Sequence, residues 1–185
     1  TNYYIRKFVY LGWNKADDKI QTMPKSIFFL RWTQMCLTFA EAANRVSGPT
    51  TPLYGYTPKQ AIAYLRSRPT NDGTPGVGAT ADPYLDECAA AGKEAFETLV
   101  RNERRIELCF EQLRYFDTRR WLIADQTDGG PFYGMNVDAG NSFTDEAFYE
   151  KTVFETRVFR PEFYLFPIPQ SEINRDPQIV QNPGW

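Results

Sequence analysis

RNERRIELCFEQLRYFDTRRW, residues 101–121, decides how this chain is read, because it sets six arginines and four acids along one amphipathic segment. At helical spacing Phe96, Leu99, Val100, Ile106, Phe110 and Leu113 form one stripe at steps of about three and four, with Glu103 inside it. A carboxylate on an apolar face requires a partner, since an unpaired charge removed from water is strongly unfavourable. Glu103 is therefore expected to meet an arginine of this or a neighbouring element. Glu97 with Arg101 and Glu111 with Arg114 stand at spacings that predict exposed surface pairs, worth only tenths of a kcal/mol. The acids nearly neutralise the arginines, which argues for a charged helix clamped into a scaffold rather than a nucleic-acid surface.

The same run closely resembles the signature helix of the SusD/RagB-like family, the cell-surface glycan-binding lipoproteins of Gram-negative gut and oral bacteria. FYLFPIPQSEINRDPQIVQNPGW, residues 163–185, resembles that family's closing segment, and FAEAAN, residues 39–44, resembles part of the helix preceding the signature. Together these matches span roughly residues 26–185. The resemblance implies a mainly α, SusD-like fold: a tetratricopeptide-type helical hairpin, a long signature helix, long loops and a small β-hairpin near the C-terminus. Family members run to several hundred residues, so residues 1–185 are expected to be the C-terminal region of a longer single-body protein. The implied function is non-enzymatic capture of oligosaccharide at the outer-membrane surface and its delivery to a SusC-like TonB-dependent transporter. The lipid anchor would sit on a cysteine upstream of this sequence.

Composition is compatible with that reading. Hydrophobic and charged shares of 42% and 24% are ordinary for a globular chain, while aromatics at 16% are abundant and suit sugar stacking and core packing equally. A net charge of −2 gives no electrostatic reason to expect nucleic acid or an anionic membrane as partner. The absence of histidine excludes Ser-His-Asp and Cys-His catalysis within these residues. Cys36, Cys88 and Cys109 lie far apart without zinc-ligand spacing and read as buried thiols, so neither a metal nor a cofactor is expected. The start, TNYYIRKFVY, lacks a signal-peptide apolar core.

Residues 1–25 read as irregular or short extended chain. A helix is expected from Ser26 to Val46, stopped by Gly48, with Phe28, Trp32, Met35, Phe39, Ala42 and Val46 on one face and Cys36, Ala40 and Ala43 widening it. So broad a stripe predicts burial between elements, an upstream portion covering what one hairpin leaves exposed. Thr57 as N-cap and Pro58 at the first helical position predict a second helix over about 58–67. A short helix near Pro83 and the signature helix over about 93–115, bending around Tyr115 to Asp117, follow. Residues 124–147 read as loop. TVFETRVF, residues 152–159, and FYLFPI, residues 163–168, are expected to pair as the hairpin, before an irregular tail.

Glu103, Glu107 and Glu111, at steps of four, invite comparison with a glycosidase carboxylate pair, but they share one helix with arginines that would hold them ionised. Structural ion pairing is the better reading. Asp125, Asp128, Asp138 and Asp145 show no EF-hand spacing. Glycan binding calls for exposed aromatic faces beside hydrogen-bonding groups, and Tyr10 and Trp13, near Arg6, Asn14 and Lys15, fit best. Tyr54 with Tyr56, and Phe132 with Tyr133, come next. No binding residue is carried over from the family. Two rivals stand beside glycan capture: a structural or protein-interaction helical scaffold, and an enzyme acting on glycans.

Overall fold

The computed structural model describes Lys7 and residues 29–69, 73–138 and 144–185. The expectations for residues 1–25, and for the first turn of a helix starting at Ser26, lie outside the described residues. The chain forms two compact units, divided between Arg114 and Tyr115.

The first unit is a helical assembly. Helix α1 runs Trp32–Ser47, α2 Pro58–Arg66, α3 Pro83–Ala90 and α4 Lys93–Glu107. α1 packs on both α2 and α4, and α3 packs on α4. Cys36, Leu37, Ala40, Ile62, Leu65, Leu85, Phe96, Leu99, Val100 and Leu108 make one buried core. The boundaries follow local chemistry. Gly48, at φ +88°, ends α1 and returns its N–H to the Asn44 carbonyl. Thr57 and Gln60 close a reciprocal capping box on α2 (3.0 and 2.8 Å), with Pro58 in the first turn. Asp82 caps α3 through the Leu85 N–H at 3.1 Å.

α1 begins later than the sequence pattern suggested. Arg31 is extended, at φ −139° and ψ 160°, and its guanidinium reaches across to Glu111. More consequentially, the two faces of α1 exchange roles. Cys36, Leu37, Ala40 and Ala43 are buried, whereas Trp32, Met35 and Val46 are exposed.

The signature stretch is two helices rather than one. α4 ends at Glu107, the chain turns through Phe110 and Gln112 at φ +61° and +63°, and α5 covers Arg114–Arg120. The bend therefore precedes Tyr115–Asp117, which lie within α5. The turn sends Leu108 into the core and leaves Ile106 and Phe110 exposed, so only Phe96, Leu99, Val100 and Glu103 of the predicted stripe are buried before the turn.

The second unit contains α5 from Tyr115, a short helix α6 at Ala124–Thr127, strands β1 (Gly130–Met135) and β2 (Lys151–Arg157), and α7 at Gln170–Arg175. β1 and β2 form an antiparallel two-stranded ribbon. The first strand thus lies in the stretch read as loop, where Gly130, Pro131 and Gly134 obscure the alternation. FYLFPI is not a strand: Pro161–Tyr164 forms a 3₁₀ turn, and Pro167 and Pro169 have no N–H to give a ladder. Phe163 stacks on Trp185 (centroids 5.6 Å apart), whose indole Nε1 donates to the carbonyls of Glu162 and Leu165 at 3.1 and 3.2 Å. The terminal tryptophan thereby ties the tail onto this unit.

Candidate functional site

The charged residues of the signature region form a framework of ion pairs. Arg66, at the end of α2, donates from Nη1 to Glu103 Oε1 at 2.5 Å, from Nη2 to Asp82 Oδ1 at 3.2 Å, and from Nε to Asp82 Oδ2. The side chains of Asp82 and Glu103 are 7% and 9% exposed, so the partner expected for Glu103 is present and desolvated. The Arg66 hydrogen bond holds the Asp82 carboxyl below the usual carboxylate range despite burial, with the Leu85 N–H adding to the effect. The loop before Asp82 approaches closely: a Cβ on Gly76 would collide with the carbonyls of Arg66 and Arg68.

Glu111 is not a surface group. Its side chain is 6% exposed, and Arg31 clamps it through Nε (2.9 and 3.0 Å) and Nη2 (2.8 Å). Glu107 accepts from Arg68 Nη2 at 2.6 Å. The expected Glu97–Arg101 pair forms, and Arg45 joins it at 2.8 Å from Glu97. Burial would raise the Glu97 carboxyl, but Arg45 and Arg101 outweigh it and the group is held low. Glu103, Glu107 and Glu111 are thus each engaged by a guanidinium, an arrangement that locks a scaffold and does not poise an acid and a base. Among the described residues no cluster of His, Cys, Asp or Glu is placed to hold a metal ion. None of their helices is long and apolar enough to cross a membrane.

A concave cleft lies between α1, α2 and the turn joining them. Trp32, Met35, Cys36, Phe39, Leu53, Tyr54, Tyr56, Gln60, Ala61 and Tyr64 enclose a cleft of about 600 Å³. Tyr54 and Tyr56, second-choice candidates from sequence, stand at its rim, with Tyr54 93% exposed at φ +52°. Trp32 and Tyr64 were missed as exposed aromatics, because periodicity marks an apolar helix face without saying whether anything covers it.

The second unit offers a different surface. Every residue of β2 is exposed. Register runs Phe132 opposite Glu155 and then Tyr133 opposite Val153, so Phe154 is a bulged residue. Tyr133, Val153 and Phe154 are 51%, 59% and 59% exposed. Arg157 lies over the Phe132 ring at 4.1 Å and pairs with Glu155 at 3.3 Å. Exposed aromatic faces here stand beside charged groups. Nearby, Arg119 covers the Tyr115 ring at 3.4 Å, donates to the Phe163 carbonyl at 3.2 Å and pairs with Asp128 at 3.2 Å. Tyr164 donates to Asp125 at 2.6 Å. Asp125 and Asp128, in the stretch that reads from sequence as loop, therefore fasten α5 and α6 to the C-terminal segment. The first-choice glycan candidates, Tyr10 and Trp13, lie outside the described residues.

Comparison with known proteins agrees with this architecture. The SusD family profile matches residues 1–185, the whole chain. No curated protein sequence matches it significantly. The crystal structure of a SusD-like protein (BF3747) from Bacteroides fragilis NCTC 9343 is 27% identical, with a TM-score of 0.61, over 87% of this chain and 26% of that one. The structure of BT4246 is 24% identical, with a TM-score of 0.63, over 88% of this chain and 24% of that one, a likeness of fold alone. The chain thus spans about a quarter of the length of these solved relatives. With the whole sequence matched, and with a mainly helical fold carrying a small two-stranded sheet, this chain belongs to the SusD family.

Proposed function

We propose that residues 1–185 are the C-terminal portion of a longer, lipid-anchored protein of the outer-membrane surface. It captures oligosaccharide and delivers it to a SusC-like TonB-dependent transporter without cleaving it. The observation that carries this reading is family membership across all 185 residues. The pairing of Glu103, Glu107 and Glu111 with Arg66, Arg68 and Arg31 supports the non-enzymatic part, since each of these three carboxylates is engaged by a guanidinium.

Within this portion, sugar contacts are assigned first to Tyr10 and Trp13 and next to the ribbon aromatics Phe132 and Tyr133. In the ribbon, Arg157 and Glu155, groups able to hold hydroxyls, stand beside the Phe132 ring. Trp13→Ala or Tyr10→Ala in the full-length protein should weaken oligosaccharide binding by about 1–3 kcal/mol with an unchanged circular dichroism spectrum. Calorimetric titration with the cognate glycan decides it, and unchanged affinity in both variants removes these residues from the site.

A second reading, a helical scaffold whose only partners are proteins, is favoured by one observation. The α1–α2 cleft is lined almost wholly by apolar and aromatic side chains, with Gln60 the one amide among them. Calorimetry with a glycan panel separates the two, because a pure scaffold gives no heat with any sugar.

A further inference from the structure

The two faces of the β1–β2 ribbon differ in chemistry. Directly paired residues share a face, so Pro131 with Thr156, Tyr133 with Val153 and Met135 with Lys151 make one, and Phe132 with Glu155 and Gly134 with Thr152 the other. Along β1 the first face is the more open: Pro131 and Tyr133 are exposed, whereas Phe132 is half-buried and Gly134 buried. One side of the Phe132 ring is already covered by the Arg157 guanidinium at 4.1 Å. Among the described residues Tyr133 has no ring contact and no hydrogen bond from its hydroxyl, and the Lys151 ammonium and the Thr156 hydroxyl are likewise unpaired.

The bulge at Phe154 makes this face. In an unbroken register Pro131 would stand opposite Glu155, but the extra residue puts Thr156 there and turns Glu155 to the Phe132 side. A hydroxyl thus replaces a carboxylate beside Tyr133. The result is one free ring flanked by an ammonium and a hydroxyl, each opposite a residue two positions along β1, about 7 Å away. The ribbon is also held in place. An isolated two-stranded hairpin is marginal in water, but Arg119 grips both feet of this one, pairing with Asp128 ahead of β1 at 3.2 Å and lying over the Phe159 ring beyond β2 at 5.5 Å. Gly129 closes the base, since a Cβ there would lie 3.3 Å from that of Phe159.

We infer that the Tyr133 face is a subsite for one neutral pyranose unit, whose ring stacks on Tyr133 while Lys151 and Thr156 hold hydroxyls at its two edges. The inference rests on the assignment of sugar contacts to the ribbon, and it names the face, the partners and the class of sugar. Charge selects against acidic sugars. Residues 130–157 carry Asp138, Asp145, Glu146, Glu150 and Glu155 against only Lys151 and Arg157. Size selects against a protein partner, because three paired rungs about 14 Å long with one central aromatic fall short of the roughly 800 Å² per partner of a stable interface.

The test is calorimetry of the full-length protein with neutral hexasaccharides of glucose, mannose, galactose and xylose, beside an oligogalacturonate hexamer. For the neutral chain that binds, Tyr133→Ala should raise Kd about tenfold or more, and Tyr133→Phe, which keeps the ring, by less than about threefold. Lys151→Met and Thr156→Val should each raise it by about three- to tenfold, with melting curves unchanged. Unchanged affinity in Tyr133→Ala alongside a loss in Trp13→Ala overturns the subsite and leaves glycan capture standing. Tighter binding of the acidic hexamer than of any neutral chain also overturns it. No heat with any of these sugars overturns the wider reading, and the subsite with it.

Discussion

Replacing Arg66 by methionine tests how the signature helix is anchored. The substitution keeps an apolar stem but removes the guanidinium that bonds both Asp82 and Glu103, whose side chains are 7% and 9% exposed. Two carboxylates would then be desolvated together with no counter-ion. Removing one partner from a buried pair costs about 3–5 kcal/mol, against at most about 1 kcal/mol for an exposed one. In a unit of this size that corresponds to a melting temperature lower by more than about 10 °C. The neutral triple variant, Asp82→Asn, Arg66→Met and Glu103→Gln, should lose less than the single variant, because no charge remains stranded and asparagine still caps α3. Urea unfolding followed by circular dichroism at pH 7 measures both. An Arg66→Met variant within about 1 kcal/mol of the parent, or a triple variant less stable than the single, would refute the desolvated-anchor reasoning.

Two further outcomes follow from the same framework. Glu111→Ala should cost about as much as Glu103→Ala, roughly 3–5 kcal/mol, because Arg31 clamps a carboxylate that is 6% exposed. The sequence alone predicted a much smaller loss for Glu111, and a difference above about 2 kcal/mol between the two melting curves would restore that view. Acid should also destabilise the protein. Asp82 and Glu97 are both held below the ordinary carboxylate range, so the stability they contribute is present above about pH 4 and lost as pH falls through their folded values. Arg66→Met should reverse the sign of its own contribution. Without that hydrogen bond the desolvated Asp82 carboxylate favours protonation, so the variant's deficit relative to the parent narrows on acidification.

Much of the fold was legible where a local rule fixes the backbone. Thr57-Pro58 and Gly48 mark helix ends through capping and φ restriction, and those ends stand where sequence put them. Glu103's buried arginine could be inferred because a charge inside an apolar stripe has few stable solutions, although Arg66 itself could not be named. Non-local facts were not legible. Nothing local in Phe110 or Gln112 announces a left-handed backbone, and so the break of the signature helix was placed too late. The pairing of Gly130–Met135 with Lys151–Arg157 depends on a long connection, whereas FYLFPI had the higher β-propensity and lost it to its prolines. The exchange of faces on α1 is of the same kind. A broad stripe says that both sides are apolar, and tertiary packing decides which side the core takes. For the glycan site, aromatic content narrowed the field to several surfaces without a spacing rule to choose among them, since stacking needs a face and not a motif.

The central claim, capture without cleavage, is tested most directly by one titration. Full-length protein is mixed with a panel of neutral oligosaccharides in a calorimeter, and each mixture is then assayed for new reducing ends. Saturable, stoichiometric binding of at least one glycan is expected, with no increase in reducing ends after prolonged incubation. Absence of binding across the panel, or reducing ends that accumulate with time, would contradict it.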